Sequence, residues 1–254
     1  MHLHVHTEYS LLDGASRIPE LIAAVKEAGM TSIAITDHGA MYGVIDFYKE
    51  AVAQGVKPII GCEVYVAPTG RKERAEVNGV KYHHLILIAE NQTGYRNLVK
   101  LVSLANIEGF YYKPRVDHEL LRHYHEGLIC LSACVAGEVP RALIADQPER
   151  AEAIVREYIE IFGKENYFLE IQNHGLPEER KANAGLAALA EKYGLGLVAT
   201  NDLHYVHRED SEFHDILLCI QMGKTVDDPD RMRFSSDDYY LKTPAEMAAL
   251  FPEH

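Results

Sequence analysis

The chain has 254 residues, of which 38 are acidic and 25 are Lys or Arg, so its formal net charge is -13. This length can hold one barrel or two smaller domains, and because no Pro/Gly/Ser-rich linker divides it, we predict a single domain over residues 1–254. The acidic charge disfavours tight autonomous binding to duplex DNA. Four cysteines without a CxxC pair argue against a disulfide framework and favour a reducing cytoplasm, and no apolar run is long enough to span a membrane.

Seven short apolar runs alternate with segments of helical periodicity. The runs cover residues 4–6, 32–38, 58–63, 84–89, 128–134, 167–173 and 197–204. Helices are predicted from a cap at Ser16 to a stop at Gly29, and over residues 43–54, 95–106, 148–162 and 177–193. Repeated β/α units favour parallel strands, so we predict a distorted seven-stranded TIM-like (β/α)7 barrel over about residues 1–205.

Two segments depart from the alternation. Residues 68–82 surround Asn78-Gly79 and predict a mobile hairpin or loop. After residue 205 a C-terminal extension, about residues 206–254, carries a predicted helix over 209–222 and a last short helix after Thr243-Pro244. It resembles a lead into a further domain.

Histidine and carboxylate side chains stand at the ends of the apolar runs. His4 and His6 lie two apart, so on an extended strand both imidazoles project from one face and can hold one ion. Asp202 and His204 repeat this spacing at the end of the last run. Parallel strands bring such ends to one rim of a barrel, which predicts a metal centre there.

The remaining candidate residues differ in how strongly they indicate a metal ligand. Of the pair Asp37-His38, one side chain should face the rim and the other should turn away. His2 continues the alternation, but a terminal histidine is more often solvated. Glu63 ends a buried strand, where a lone carboxylate is costly unless it is paired or bound to a metal. His174 ends the sixth run and is a candidate substrate contact, proton donor or turn residue.

The donor types bear on the metal. Cys134 ends a strand, whereas Cys130 on the same strand is an inert core thiol. A thiolate favours zinc, while the accompanying carboxylates and imidazoles also tolerate manganese or iron. His84 opens its run where the other candidates close theirs, and spacing does not decide between His84 and His83.

Seven motifs together carry a family resemblance: HLHVHTEYSLLDG, AITDHGAMYG, KPIIGCE, YHHLILIAENQTGYRNL, GLICLSAC, YFLEIQNHG and VATNDLHYV. Over essentially its whole length the chain resembles the polymerase and histidinol phosphatase (PHP) domain at the N-terminus of bacterial DNA polymerase III alpha subunits. The resemblance implies a seven-stranded α/β barrel with three divalent metal ions. It implies nine ligands: His4, His6, Asp13, His38, Glu63, His84, Cys134, Asp202 and His204.

The resemblance also brings in Asp13 and favours His84 over His83. It implies that Glu63 bridges two ions, one also held by His4, His6 and Asp202 and the other by His84 and Cys134. Asp13, His38 and His204 would hold the third ion. Glu63, Asp202 and His174 are the expected catalytic residues.

The expected activity is hydrolysis of phosphate esters by metal-bound hydroxide, as in a 3'-5' exonuclease that proofreads for a replicative polymerase. The expected partners are single-stranded or primer-terminus DNA, contacted by Arg71, Lys72, Arg74, Lys113 and Arg115, together with a polymerase body and replisome subunits. One alternative is a stand-alone phosphatase acting on small phosphoesters, of the histidinol-phosphatase type or of broad specificity. Another is a structural module braced by its metals.

Overall fold

A computed structural model describes residues 1–11 and 13–252. The strands are β1 (Ser32–Ile35), β2 (Lys57–Val66), β3 (His83–Ala89), β4 (Arg115–Val116), β5 (Leu128–Leu131), β6 (Tyr167–Ile171) and β7 (Gly196–Ala199). The helices are α1 (Ile18–Glu27), α2 (Val44–Gln54), α3 (Gln92–Ile107), α4 (His118–Tyr124), α5 (Glu138–Ile144), α6 (Pro148–Phe162), α7 (Pro177–Tyr193), α8 (Ser211–Met222) and α9 (Pro244–Leu250). No described helix is long and apolar enough to cross a membrane.

The strands form one curled sheet in the order β1-β2-β3-β5-β6-β7, with the short β4 paired to β2. The N-terminal segment lies between the two ends of this sheet. The His6 and Leu203 amides donate to the carbonyls of Leu203 and His4, while the Thr36 amide donates to Val5. These bonds place the first histidines between β1 and the chain that follows β7, giving the predicted distorted α/β barrel.

The prediction that the strands would all be parallel is wrong for β3, which pairs antiparallel with β2 and β5. No helix stands between β2 and β3, so the chain turns back directly instead of crossing over. In the connecting segment Val77 and Val80 pair across Asn78 and Gly79, whose φ angles are 52° and 78°. Positive φ at both central positions is what a tight hairpin turn requires, so the predicted hairpin is confirmed.

Most predicted helices are found within a few residues of their predicted ends. The α1 face of Ile18, Leu21, Ile22 and Val25 is buried, as its spacing predicts, and each such side chain contributes about 1.5–3 kcal/mol through burial. Ser16, however, does not cap α1, since the N-cap position is Arg17. The sequence did not predict α4 and α5, because seven residues are too few to establish a helical period.

The C-terminal extension packs back onto the barrel. The Tyr239 carbonyl accepts from the His204 amide, and the Leu241 amide donates to the Val206 carbonyl. Lys242 offers its carbonyl to the His2 ring at 2.8 Å, and His2 is buried there rather than solvated. The extension therefore touches both the N-terminal segment and the chain after β7.

Candidate metal centre

The nine expected ligands converge at one end of the barrel, although they are spread over two hundred residues of sequence. His4, His6, Glu63 and His204 form the buried floor. Asp13, His38, His84, Cys134 and Asp202 are partly exposed around it. Three groups of donors each have ligand atoms within 4.8 Å of one another. The site is thus a donor-lined pocket that opens to solvent on one side.

The first group contains His4, His6 and Asp202. Asp202 Oδ1 lies 3.0 Å from His4 Nε2 and 3.1 Å from His6 Nε2. Asp202 follows β7 with a φ angle of 44°, a left-handed conformation that Asp tolerates better than most residues. This backbone turn directs the carboxylate towards both imidazoles.

The second group contains Glu63, His84 and Cys134. His84 Nδ1 lies 2.8 Å from Glu63 Oε1 and 3.8 Å from Cys134 Sγ. Because β3 runs antiparallel, its first residues lie at the same rim as the last residues of its neighbours. This explains why His84 opens its apolar run. His83 points away from the group.

The third group contains His6, His38 and His204. It shares His38 and His204 with the expected third set, whereas Asp13 joins through its Oδ2, which is 3.3 Å from His38 Nε2. The Asp13 loop is closed by Gly14, where an added Cβ would lie 1.9 Å from the Thr7 carbonyl oxygen.

One residue of the pair Asp37-His38 faces the rim, as predicted. His38 contacts Glu63 and Asp13, whereas the Asp37 carboxylate turns away and accepts hydrogen bonds from the Thr7 amide and the Ser10 hydroxyl. Asp37 therefore holds the N-terminal segment in place.

The donor set fits divalent metal ions. Among the described residues, His4 Nε2, Asp13 Oδ1, His38 Nδ1 and Glu63 Oε2 are buried and make no well-formed hydrogen bond, although His4 Nε2 lies 3.0 Å from Asp202 Oδ1 and His38 Nδ1 contacts Glu63 Oε2. All four atoms face the pocket's other ligand atoms at close range without hydrogen-bond geometry, which is how donors that share a metal ion are arranged. Imidazole, carboxylate and thiol donors together suit zinc and its transition-metal neighbours.

The charges in the pocket are strongly coupled. Burial works against ionising Glu63, but His84 and His38 outweigh it and hold the pKa of this carboxyl well below its usual range. Burial likewise opposes the charged form of His38, yet Glu63 and Asp13 raise its pKa to about 10. Burial, with Asp202 and Glu63 nearby, raises the pKa of the Cys134 thiol. The raised pKa values of His4 and His38 favour positive charge on these two imidazoles beside the pocket's carboxylates.

A second layer of polar residues supports His4, and the sequence analysis missed it. Glu170 Oε1 accepts from His4 Nδ1 at 2.7 Å and from Gln172 Nε2 at 3.0 Å, and the Thr200 hydroxyl also donates to it. A carboxylate behind a ligating histidine fixes its tautomer and ring orientation. The detectable signal was a Glu inside the apolar run at residues 167–173.

The structure contradicts the catalytic role expected for His174. Its Nδ1 contacts Glu179, its Nε2 lies 3.0 Å from the Asn201 carbonyl, and its ring stacks on Tyr239. With both nitrogens bonded inside the protein and only 5% of the residue exposed, it holds the barrel to the extension.

Two of the expected DNA contacts are also contradicted. Arg71 is buried and pairs with Glu108 and Asp117, while Arg115 is fully buried and donates to backbone carbonyls. Arg74 and Lys72 are exposed. Lys113 lies at the rim, with its Nζ 5.4 Å from the Tyr65 ring centre, and that ring centre is 5.3 Å from the His84 ring centre.

Two other histidines make specific contacts within the protein. His214 is buried, and its Nε2 donates to the Asp13 carbonyl at 2.8 Å, which supports the Asp13 loop from behind. His118 lies between Glu138 and Glu157, each 2.9 Å from a ring nitrogen.

Known proteins match this chain in sequence and in fold. A family model for the PHP domain matches residues 2–174. The chain is 52% identical to a DNA polymerase III subunit alpha of Treponema pallidum, covering 100% of this chain and 22% of the relative. It is 52% identical to that of Thermus aquaticus, covering 99% and 21%. The chain thus spans about a fifth of the length of these relatives.

Two solved structures share the fold. One is a candidate metal-dependent phosphoesterase from Bifidobacterium adolescentis, with a TM-score of 0.54 and 13% identity over 99% of this chain and 95% of that one. The other is an amidohydrolase from Chromobacterium violaceum with bound sulfate, with a TM-score of 0.50 and 16% identity over 80% of this chain and 87% of that one. The family match covers more than half of the sequence, and the chain belongs to the PHP domain family.

Proposed function

We propose that the chain is a metal-dependent phosphoesterase that removes nucleotides from the 3' end of single-stranded DNA. The observation that carries this proposal is the open pocket of nine donors, whose buried nitrogen and oxygen atoms lie close to one another without well-formed hydrogen bonds. The similarity to replicative polymerase subunits supports DNA as the substrate.

Glu63 and Asp202 have different proposed roles within the pocket. Glu63 lies between two donor groups, with Oε1 at 3.3 Å from His4 Nε2 and 2.8 Å from His84 Nδ1, so it is placed to bridge two ions. Asp202 supplies negative charge to the histidines of the first group. The bound ions would supply a water of lowered pKa and would offset the charge that develops on the phosphoryl oxygens.

The test uses the metal-loaded protein and labelled single-stranded DNA with either a free or a blocked 3' end. We expect stepwise shortening of the free end only, and loss of the activity in Asp202→Asn. Equal degradation of both substrates would contradict the exonuclease proposal.

A small-molecule phosphatase is the second candidate. The net charge of -13 and the internal pairing of Arg71 and Arg115 leave fewer cations for DNA than the sequence suggested. A panel of phosphomonoesters and phosphodiesters distinguishes the two functions, since turnover of monoesters alone would favour this candidate.

Further assignments are proposed from the similarity to polymerase subunits and from the donor types in the pocket. We propose a polymerase body and replisome subunits as partners, a cytoplasmic location, and zinc in a three-ion centre with manganese or iron as substitutes. The division into a barrel of about residues 1–205 and an extension of about 206–254 is proposed with them. Elemental analysis of the purified protein tests the metal assignment.

A further inference from the structure

A second polar cavity lies outside the barrel, on the face of β3 opposite the metal centre. Its volume is about 290 Å³, and it is bounded by the hairpin at residues 77–80 and by α5 and the start of α6. The polar residues that line it are Asn78, His83, Glu138, Arg141, Gln147 and Arg150. None of them belongs to the expected ligand set.

The cavity adjoins the metal centre through β3 and α5. His83 directly precedes His84, and the His84 amide donates to the Ala136 carbonyl just before α5 begins. Arg141 Nη1 donates to the Tyr82 carbonyl at 3.2 Å, and the Tyr82 ring stacks on His84 with ring centres 6.1 Å apart. A molecule that extends from the metal centre past Tyr82 would reach the cavity.

The charge in the cavity favours an anion. Arg141 is half-buried and Arg150 is exposed, and their guanidinium groups bond to the Tyr82 carbonyl and the Gln147 side chain rather than to a carboxylate in the described part of the chain. The carboxylate of Glu138 is balanced elsewhere, by His118 at 2.9 Å and by the Tyr158 hydroxyl. Two guanidinium charges therefore remain for a ligand.

His83 supplies a third binding group. Only 5% of the residue is exposed, and its Nδ1 is buried without a hydrogen-bond partner in the described residues. An unsatisfied ring nitrogen is costly to bury. In the neutral tautomer that carries its proton on Nδ1, His83 would donate a hydrogen bond to an oxygen anion in the cavity. Guanidinium forks with a neutral N–H donor make a good site for phosphate oxygens.

We propose that this cavity binds a backbone phosphate of a single-stranded nucleic acid whose 3' end lies at the metal centre. The proposal rests on the proposed function and narrows it, because a substrate with one phosphate fills only one of the two sites. Two phosphate-binding sites would therefore favour oligonucleotides over small phosphomonoesters as substrates.

The test is equilibrium binding of a fluorescent oligothymidylate, measured by anisotropy at low salt in EDTA so that no turnover occurs. Arg150→Gln and Arg141→Gln should each weaken binding about tenfold. In each variant, the slope of the logarithm of the binding constant against the logarithm of the salt concentration should also become shallower by about 0.7. This is the change expected when one phosphate contact to a single strand is lost. Arg156→Gln is the matched control, an exposed arginine on the same helix as Arg150 and outside the cavity.

Unchanged binding in Arg150→Gln and Arg141→Gln would overturn the proposal, as would an equal loss in Arg156→Gln. If circular dichroism shows that Arg141→Gln is unfolded, the exposed Arg150 decides alone. A methylphosphonate oligomer, which lacks backbone charge, should bind the parent protein no better than it binds Arg150→Gln, and preferential binding to the parent would contradict a phosphate site.

The assay separates this proposal from the proposed function. If the metal-loaded protein degrades no DNA while the two variants still weaken binding, the phosphate site stands and the exonuclease function fails. If the protein degrades DNA and the variants bind normally, the function stands and the phosphate site fails.

Discussion

Glu170 should control metal affinity although it is not an expected ligand. Its Oε1 lies 2.7 Å from His4 Nδ1, and the side chains of both residues are fully buried. Glu170→Gln keeps the shape of the side chain and its acceptor oxygen. It removes the negative charge that makes His4 a stronger metal ligand. Carboxylates in this position typically contribute 10- to 100-fold to metal affinity, or about 1.4–2.7 kcal/mol.

The measurement is a zinc titration in competition with a chromophoric chelator. Glu170→Gln should bind the weakest-held ion at least about 10-fold less tightly than the parent protein, with an unchanged far-UV spectrum. Glu160→Gln, at an exposed position on α6, is the control for loss of one negative charge. Equal affinity in Glu170→Gln and the parent would refute the idea that Glu170 positions and strengthens His4.

Three further predictions concern the charges. Asp202→Asn should stay folded, because Asn also tolerates a φ angle of 44°. Its metal affinity should fall at least about tenfold because a neutral amide replaces a carboxylate, and wild-type affinity in the chelator assay would contradict this. Zinc binding at pH 7 should release about three protons, from His4, His38 and the Cys134 thiol, since all three pKa values are raised and all three ligands must be deprotonated. Calorimetry in buffers of different ionisation enthalpy measures this release, and heats that do not depend on the buffer would argue against it. Burial opposes the charged form of His118, but Glu138 and Glu157 outweigh it and raise its pKa to about 9. The contribution of His118 to the free energy of unfolding is therefore complete below pH 6.5 and is lost as pH rises through about 9. His118→Gln should lower the free energy of unfolding by up to about 3 kcal/mol at neutral pH and should make that free energy less dependent on pH. Urea unfolding across pH 6 to 10 measures this, and an equal fall with pH in both proteins would contradict the prediction.

The sequence predicted the elements better than their directions. Helices 148–162 and 177–193 were predicted to the residue because each has a long apolar stripe and begins at a proline. The reversal at β3 was not predicted, since periodicity reports which face of a strand is buried and not which way the strand runs. His84 seemed out of place for this reason alone.

The sequence also could not separate a charged side chain that binds a ligand from one that holds the fold. Arg71 and Arg115 occur among other basic residues, as a DNA contact would, but they bond to distant segments, Arg71 to the Asp117 carboxylate and Arg115 to the Arg71 carbonyl. His174 is paired with Glu179 five residues later, a spacing that helical periodicity does not predict because helix neighbours are three or four residues apart and α7 begins only at Pro177. Its second bond, to the Asn201 carbonyl, depends on the tertiary fold.

Backbone conformation links these long-range contacts to the metal centre. Ala133 has a φ angle of 62°, a left-handed conformation that costs a residue with a Cβ about 1–2 kcal/mol. The Ser132 amide donates to the Phe168 carbonyl on one side of it, and the Gly137 amide donates to the Cys134 carbonyl on the other. Strain of this kind persists only where the surroundings fix it, and here it turns the Cys134 sulfur towards His84. The position of this donor is therefore set by β6 and by the turn that precedes α5, which is what a preorganised site requires.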